Sequence, residues 1–301
     1  MLKGFLVAAC CLSGTLIAAT PLHDVFSAAA AYKYTAQVTA FGERQPGQPG
    51  HAKTEQLILE VLKRTGGQVE RDDFVATTPR GKTNVHNIIG KFNATADPRQ
   101  GIVMLAGHYD TLVQRGFVGA NDGGSSTGIL LAFAEALAKT PTKLQMWLVW
   151  TDVEEGTFQG DDGLYGSRHL AAKLKADGRA PRVRGFFLLD MIGDRDLGVD
   201  REPQSTGWLQ DFMAQAAKQL GYSQYFFQYA DAITDDHKSF LDVGIPAVDV
   251  VDARFGRMGP GFDGMGEFHH ANTDTMDKVS QRSLEIVGRT MLLTVELLDA
   301  R

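Results

Sequence analysis

Cysteine is almost absent from this chain of 301 residues, because its only two cysteines are Cys10 and Cys11. Both fall in the N-terminal apolar segment, so a mature chain that begins after residue 19 has no cysteine and gains no stability from a disulfide bond. The chain also lacks a cluster of Lys and Arg, and its net charge is -6. Without a basic surface, neither nucleic acid nor an anionic membrane is an expected partner.

A hydrophobic run long enough to cross a membrane is missing as well. The N-terminal apolar stretch from Phe5 to Ala19 follows Lys3 and is too short for a transmembrane helix. It ends in small residues, and more follow at 28–31, which is typical of a secretory signal peptide cleaved after Ala19 or within 28–31. The layout predicts an exported, periplasmic or secreted protein. A lipoprotein anchor at Cys10 is less favoured because the apolar run before it is short.

Helical and strand patterns alternate along the rest of the chain. Apolar runs without polar alternation, such as IVMLAG and VRGFFLL, indicate strands buried on both faces. The predicted strands are Val69–Thr77, Val85–Phe92, Gly101–Gly107, Met146–Trp150, Val183–Leu189 and Ile245–Val251. The predicted helices are His51–Arg64, Gly124–Lys139, Tyr165–Asp177, Trp208–Leu220, Asp236–Leu241 and Val279–Leu298.

This alternation predicts an α/β fold, in which helices cover both faces of a mostly parallel sheet and give three layers, α/β/α. The chain contains no linker of the kind that separates domains. We therefore expect two parts: a signal peptide with a small-residue segment over residues 1–31, and a single catalytic domain over residues 32–301.

Acidic and imidazole side chains follow several of the predicted strands and turns. In an α/β sheet the carboxyl ends of the parallel strands form the ligand-binding edge, and imidazole and carboxylate groups are the ligands of catalytic zinc. Each such residue alone could be a turn residue, a helix cap or a satisfied buried group. Their coincidence at strand ends favours a metal site instead. The residues are His108, Asp122, Glu154, Glu155, Asp190 and His270.

The adjacent Glu154 and Glu155 allow a division of roles. Neighbouring side chains diverge, so one glutamate can face a metal while the other faces the reacting bond as a base. Asp236, in the sequence Asp235-Asp236-His237, is a weaker candidate because a helix N-cap explains one aspartate there.

Taken together, these motifs resemble the M28 zinc aminopeptidase superfamily and, within it, the animal-type glutaminyl-peptide cyclotransferases. The similarity runs from about Phe41 to the C-terminus, and residues 156–163 lengthen the connection after the Glu-Glu pair as the cyclotransferases do. The segments that carry the resemblance are PGQPG at 46–50, TPRG at 78–81, NII at 87–89, FVGA at 117–120, LYGSRH at 164–169 and DDH at 235–237.

The resemblance implies a phosphorylase/hydrolase-like fold and a zinc ion held by Asp122, Glu155 and His270. It also implies that His108 and Asp190 match the residues that hold a second zinc in the aminopeptidases. In the cyclotransferases these two residues persist but usually support no second metal, so one zinc is expected for a cyclotransferase and two for an aminopeptidase.

The resemblance also assigns catalytic roles. Glu154 becomes the acid/base, Asp236 a hydrogen-bonding partner of the reacting amide, and Asp190 a member of the polar network around it. The expected substrates are peptides or proteins with N-terminal glutamine, and a monomer is expected.

Several positions depart from the animal-type pattern. His269 stands where these enzymes carry a Trp before the last His ligand, and Phe158 is the nearest aromatic residue to a second missing Trp. Gly107 and Thr127 occupy the positions of a cysteine pair. These differences bear more on the substrate than on the metal.

Three functions follow from these observations. The leading hypothesis is a zinc-dependent cyclotransferase that converts N-terminal glutamine to pyroglutamate and releases ammonia. The alternative is a zinc aminopeptidase of the M28 family that hydrolyses N-terminal residues from peptides. A third hypothesis is an exported binding or structural protein with a degenerate site.

Overall fold

A six-stranded mixed β-sheet forms the centre of the computed structural model, which describes residues 20–93, 100–158, 160–262 and 264–300. The strand order is β1-β2-β4-β3-β5-β6, in which β4, β3, β5 and β6 are parallel while β2 runs antiparallel to both of its neighbours. This confirms the predicted α/β fold with a mostly parallel sheet. The strands are β1 (Gln68–Thr78), β2 (Gly81–Phe92), β3 (Ile102–His108), β4 (Gln145–Thr151), β5 (Val183–Asp190) and β6 (Ala247–Val251).

Helices cover both faces of the sheet. The α-helices are α1 (Leu22–Val25), α2 (Ala28–Thr39), α3 (Pro49–Thr65), α4 (Gly124–Leu137), α5 (Tyr165–Ala176), α6 (Gly207–Gln219), α7 (Asp236–Leu241) and α8 (Gln281–Asp299). Apolar side chains of α1 to α4, α6 and α8 share one core with one sheet face, while those of α5 and α7 pack on the other face. Along β3, Leu105 belongs to the first core and Ala106 to the second. Successive strand residues point to opposite faces, so this alternation produces the three layers.

The central strands explain why the sequence pattern was informative. Every residue of β3 and β4 is buried, as expected for strands covered on both faces. Because β3, β4 and β5 are parallel, their carboxyl ends meet at one edge of the sheet. His108, the residues after Thr151, and Asp190 therefore lie close together.

The segment before residue 32 belongs to the same core. Leu22 and Ala31 are buried, the backbone N–H of Leu22 donates to Glu296 Oε1 (2.6 Å), and Arg289 pairs with Asp24 (2.5 Å). The boundary expected between residues 31 and 32 thus falls inside α2, a helix that the sequence patterns did not reveal. Residues 1–19 lie outside the described part of the chain, so the signal peptide and the anchor at Cys10 stay predictions.

None of the helices in the described ranges has both the length and the apolar character that crossing a membrane demands.

Candidate active site

A cavity of about 250 Å³ opens at the carboxyl edge of the parallel strands. Acidic side chains predominate in its lining, and among the described residues no Lys or Arg contributes to it. Its polar lining includes Asp122, Glu154, Glu155, Asp161, Asp162, Asp190, Thr234, Asp235, His269 and His270. Such a cavity favours a positively charged group, either a metal ion or a protonated amine.

The three residues predicted to hold a metal converge in this cavity. His270 Nε2 lies 3.0 Å from Glu155 Oε2 and 3.7 Å from Asp122 Oδ2. Two ligand atoms bound to one zinc at about 2.0–2.2 Å are commonly separated by roughly 3.3 Å, so both distances suit a shared ion. Asp122 Oδ2 and Glu155 Oε1 are buried without a hydrogen-bond partner, and a buried polar atom of this kind calls for an ion or water. The donor set therefore fits a divalent metal.

A second group of potential ligands shares Asp122. His108 Nε2 lies 3.2 Å from Asp122 Oδ1 and 3.2 Å from Asp190 Oδ1, and one ligand atom from each residue falls within 4.8 Å of the others. Asp122 thus has one oxygen near each group, which is the arrangement of a carboxylate that could bridge two metal ions.

Two aspartates that were not predicted as site residues orient the ligand segments through backbone amides. The two carboxylate oxygens of Asp110 accept hydrogen bonds from the N–H groups of Glu154 and Glu155, both at 3.2 Å. Asp274 does the same for Asn121 (2.9 Å) and Asp122 (3.0 Å). Nothing in the spacing of these two aspartates along the sequence showed that they bind backbone rather than metal.

Arg44 fixes the segment that carries Asp122. Its guanidinium is fully buried and donates to the carbonyl oxygens of Tyr109 (2.9 Å), Val118 (2.5 Å), Gly119 (2.9 Å) and Asp122 (3.2 Å). Burial lowers the pKa of Arg44 to about 10, so it stays charged at neutral pH, and the nearby carboxylates, Asp122 foremost, oppose that shift. A single side chain therefore ties the turn after β3 to the turn before α4.

Three residues at the site have a left-handed backbone conformation that non-glycine residues seldom adopt. They are Val153 (φ 56°), Met191 (φ 47°) and His270 (φ 53°). Val153 precedes Glu154, Met191 follows Asp190, and His270 is itself a potential ligand. A β-branched residue in this region is strained, and such strain persists only where the surroundings impose it. The strain marks the turns that aim these side chains into the cavity.

Burial raises the pKa of both Glu154 and Glu155. Burial, together with the charge of Asp122, raises the pKa of Glu155 to about 7. Burial and the charge of Asp235 raise the pKa of Glu154 well above its usual range. A metal ion binds the deprotonated carboxylate, so metal binding at this site displaces protons.

Asp235 and Asp236 have different surroundings in the structure. Asp236 is fully buried, and its Oδ2 accepts a hydrogen bond from Thr151 Oγ1 (2.6 Å), whereas Asp235 lines the cavity. The reason is local geometry: Asp235 is the extended N-cap of α7, and Asp236 begins the helix. Of the two carboxylates, Asp235 therefore lies at the cavity, and a role of Asp236 at the reacting amide stays a prediction.

The role of Arg44 can be tested by Arg44→Met, which keeps much of the volume and removes every donor. Four buried carbonyl oxygens lose their partner, and each unsatisfied group costs about 1–3 kcal/mol, so we expect the free energy of unfolding to fall by at least about 4 kcal/mol. Urea unfolding followed by circular dichroism measures the change. Zinc affinity should fall about 10–100-fold, as is typical when a residue that orients a ligand is lost.

Arg64→Met is the matched control, because Arg64 is exposed and contacts Glu135 at 2.7 Å on the surface. Its loss should cost less than about 1 kcal/mol. Equal losses of stability in the two variants would contradict the role given to Arg44.

Comparisons with known proteins agree with the geometry. The model of peptidase family M28 matches residues 87–295. The chain is 29% identical over 280 residues to glutaminyl-peptide cyclotransferase of Bos taurus, covering 79% of this chain and 77% of that protein.

Two solved structures bear on the site. The glutaminyl cyclase of an Acidobacteriales bacterium is 38% identical, with a TM-score of 0.87 over 96% of this chain and 99% of that chain. A Zn-dependent exopeptidase from Parabacteroides distasonis is 26% identical, with a TM-score of 0.77 over 92% of this chain and 99% of that chain. With the ligand groups described above, these matches show that the chain belongs to peptidase family M28 and, within it, to the glutaminyl cyclases.

Proposed function

We propose that this protein is a zinc-dependent glutaminyl-peptide cyclotransferase, which converts the N-terminal glutamine of peptides to pyroglutamate and releases ammonia. The observation that carries the proposal is the convergence of Asp122, Glu155 and His270 on one cavity, with Glu154 beside them. It is supported by the 38% identity to a glutaminyl cyclase over nearly the whole chain.

Asp122, Glu155 and His270 would hold the zinc ion. When bound, zinc supplies a Lewis acid that makes the carbon of the substrate's side-chain amide more electrophilic and stabilises negative charge on its oxygen. The acidic lining of the cavity would attract the protonated N-terminal amine of a peptide. That attraction suits a cyclotransferase and an aminopeptidase equally.

Glu154 would move the proton in this reaction. After the bound ammonium group has lost one proton to solvent, Glu154 would take a second proton from the neutral amine as its nitrogen bonds to the side-chain amide carbon. It would return that proton to the departing nitrogen as the old C–N bond breaks. The products are pyroglutamyl peptide and ammonia, with no net gain or loss of protons by Glu154. The raised pKa of Glu154 favours the first half of this cycle, because a carboxylate with a higher pKa is a stronger base.

Asp235 takes the role that was expected of Asp236. It lines the cavity next to Thr234, and burial and the charge of Asp190 raise its pKa well above the usual range. A protonated carboxyl group both donates and accepts hydrogen bonds, so Asp235 can bind the substrate's amide.

The product of the reaction distinguishes the two enzyme hypotheses. The purified protein should release ammonia from a Gln-initiated peptide without cleaving a peptide bond, and should leave a matched Leu-initiated peptide intact. Mass spectrometry and an ammonia assay measure both outcomes. Metal analysis should find one zinc per chain.

The aminopeptidase remains the second candidate because the group His108, Asp122 and Asp190 is intact. Free amino acids as products, together with two zinc ions per chain, would overturn the cyclotransferase proposal in its favour. Turnover of neither peptide would favour a binding protein with a degenerate site.

Three substitutions test the catalytic assignments. Glu154→Gln should lower kcat by about 10²–10⁴ because the proton transfer is lost. Asp235→Asn should lower kcat/KM at least about tenfold through the loss of a transition-state hydrogen bond, although Asn caps a helix as well as Asp does. Asp236→Asn is the control and should stay within about threefold of the parent, because its amide oxygen can still accept the Thr151 hydrogen bond.

All three variants should retain zinc, since none of these residues is a proposed ligand. A larger loss of activity in Asp236→Asn than in Asp235→Asn would return the substrate-binding role to Asp236.

We also propose that the protein is exported, that the catalytic domain begins near residue 20, and that it acts as a monomer. Cleavage after Ala19 leaves α1 and α2 intact, whereas cleavage within 28–31 would cut a helix that packs on the core. Edman sequencing of the exported protein should therefore begin at Thr20, and a start at residues 29–32 would refute this. The described residues that line the cavity all belong to one chain, which supports a monomer, and light scattering tests it.

A further inference from the structure

The imidazole rings of His269 and His270 lie face to face at the edge of the cavity. Their centroids are 3.7 Å apart and the rings are inclined by 24°. Successive side chains of an extended chain point to opposite sides, but the left-handed conformation of His270 (φ 53°) turns the backbone so that both rings lie on one side. Both side chains therefore line the cavity.

His269 is also within reach of the metal site. One ring nitrogen of His269, one of His270 and one carboxylate oxygen of Asp122 all lie within 4.8 Å of one another. Two nitrogens bound to a tetrahedral zinc are roughly 3.3 Å apart, so a small movement of the His269 ring brings it into the coordination sphere. Asp122, the carboxylate of this group, is buried and keeps Oδ2 without a hydrogen-bond partner.

The two histidines lie in different backbone surroundings. The backbone of His270 is fixed by Gln114, whose Nε2 donates to the His270 carbonyl (3.2 Å), and its ring meets Phe117 edge-on. His269 follows a glycine-rich stretch with positive φ at Gly264 and Gly266.

We propose that His269 is a fourth, displaceable ligand of the zinc ion, and that the substrate's amide oxygen takes its place. Only one part of this proposal, the identity of the group that displaces His269, rests on the proposed function. Catalytic zinc sites usually have three protein ligands and one open position. Here the imidazole of His269 fills that position in the resting protein, a role that the Trp of the animal-type enzymes cannot perform because indole offers no metal-binding lone pair.

The number of imidazoles bound to zinc tests the proposal without reference to activity. X-ray absorption spectroscopy of the zinc-loaded protein should show two imidazole ligands in the parent and one in His269→Phe, which keeps a ring to stack on His270. His169→Phe is the matched control, because His169 also stacks on an aromatic ring, that of Phe74 at 3.7 Å, but lies outside the cavity. His169→Phe should leave the number of imidazole ligands at two. One imidazole in both parent and His269→Phe would overturn the proposal.

A second measurement uses imidazole itself as the probe. In the Co²⁺-substituted protein, added imidazole must displace His269, so its Kd, read from the visible absorption spectrum, should be at least about tenfold lower in His269→Phe than in the parent. Equal values in the two proteins would contradict displacement. If His269→Phe does not fold, His269→Trp provides the same comparison with another stacking ring.

These results separate this proposal from the proposed function. A protein that releases no ammonia from Gln-initiated peptides but still shows two imidazoles in the parent and one in the variant would refute the cyclotransferase and leave the fourth ligand in place.

Discussion

Concentration of carboxylates at one edge of the sheet is the constraint on which the rest of this structure depends. Asp122, Glu155, Asp190 and Asp235 are all buried there, and ionised carboxylates in such a place repel one another and lose their hydration. Protons or a cation must offset this cost, as the raised pKa values of Glu155 and Asp235 show. A divalent ion does so most completely, because it attracts all of the carboxylates at once. Repulsion between the carboxylates therefore destabilises the site most when no cation is bound. The fold must hold the metal-binding side chains together before the metal binds.

Backbone amides and the buried guanidinium of Arg44 hold the metal-binding side chains together. Asp110 and Asp274 each bind two consecutive N–H groups of the segments that carry the ligands, and Arg44 binds four carbonyl oxygens around them. Because these contacts bind main chain, they fix the turns and leave Asp122 and Glu155 available to a metal. Rigid turns also explain how Val153 and Met191 are kept in strained conformations beside the site. The strain is sustained by the core beneath it, since β3 and β4 are buried along their whole length.

The sequence revealed the helices and strands that have a clear pattern of apolar residues, and the polar residues that follow directly after such a pattern. The buried strands were predicted from uninterrupted apolar runs, and the potential ligands from their position directly after these strands. Features without a distinctive sequence pattern were missed: Arg44 is a lone arginine in a Pro- and Gly-rich loop, and α2 begins in alanines that are equally typical of a signal segment. The sequence favoured Asp236 over Asp235 without showing their surroundings, because one residue decides which side chain caps α7 and which turns into the core. No periodic pattern carries that information.

The same metal ligands can serve the cyclisation of glutamine and the hydrolysis of a peptide bond. The nucleophile decides which of these two reactions occurs. In a glutaminyl peptide the amine and the amide carbon belong to one molecule and close a small ring, and such intramolecular reactions need orientation more than activation. Hydrolysis instead needs a water molecule placed next to the metal. An imidazole from His269 in the open position would keep water from that place until the substrate's amide oxygen arrives. The residue that departs most from the animal-type pattern would then favour ring closure over hydrolysis, in a site whose second ligand group would otherwise suit a peptidase.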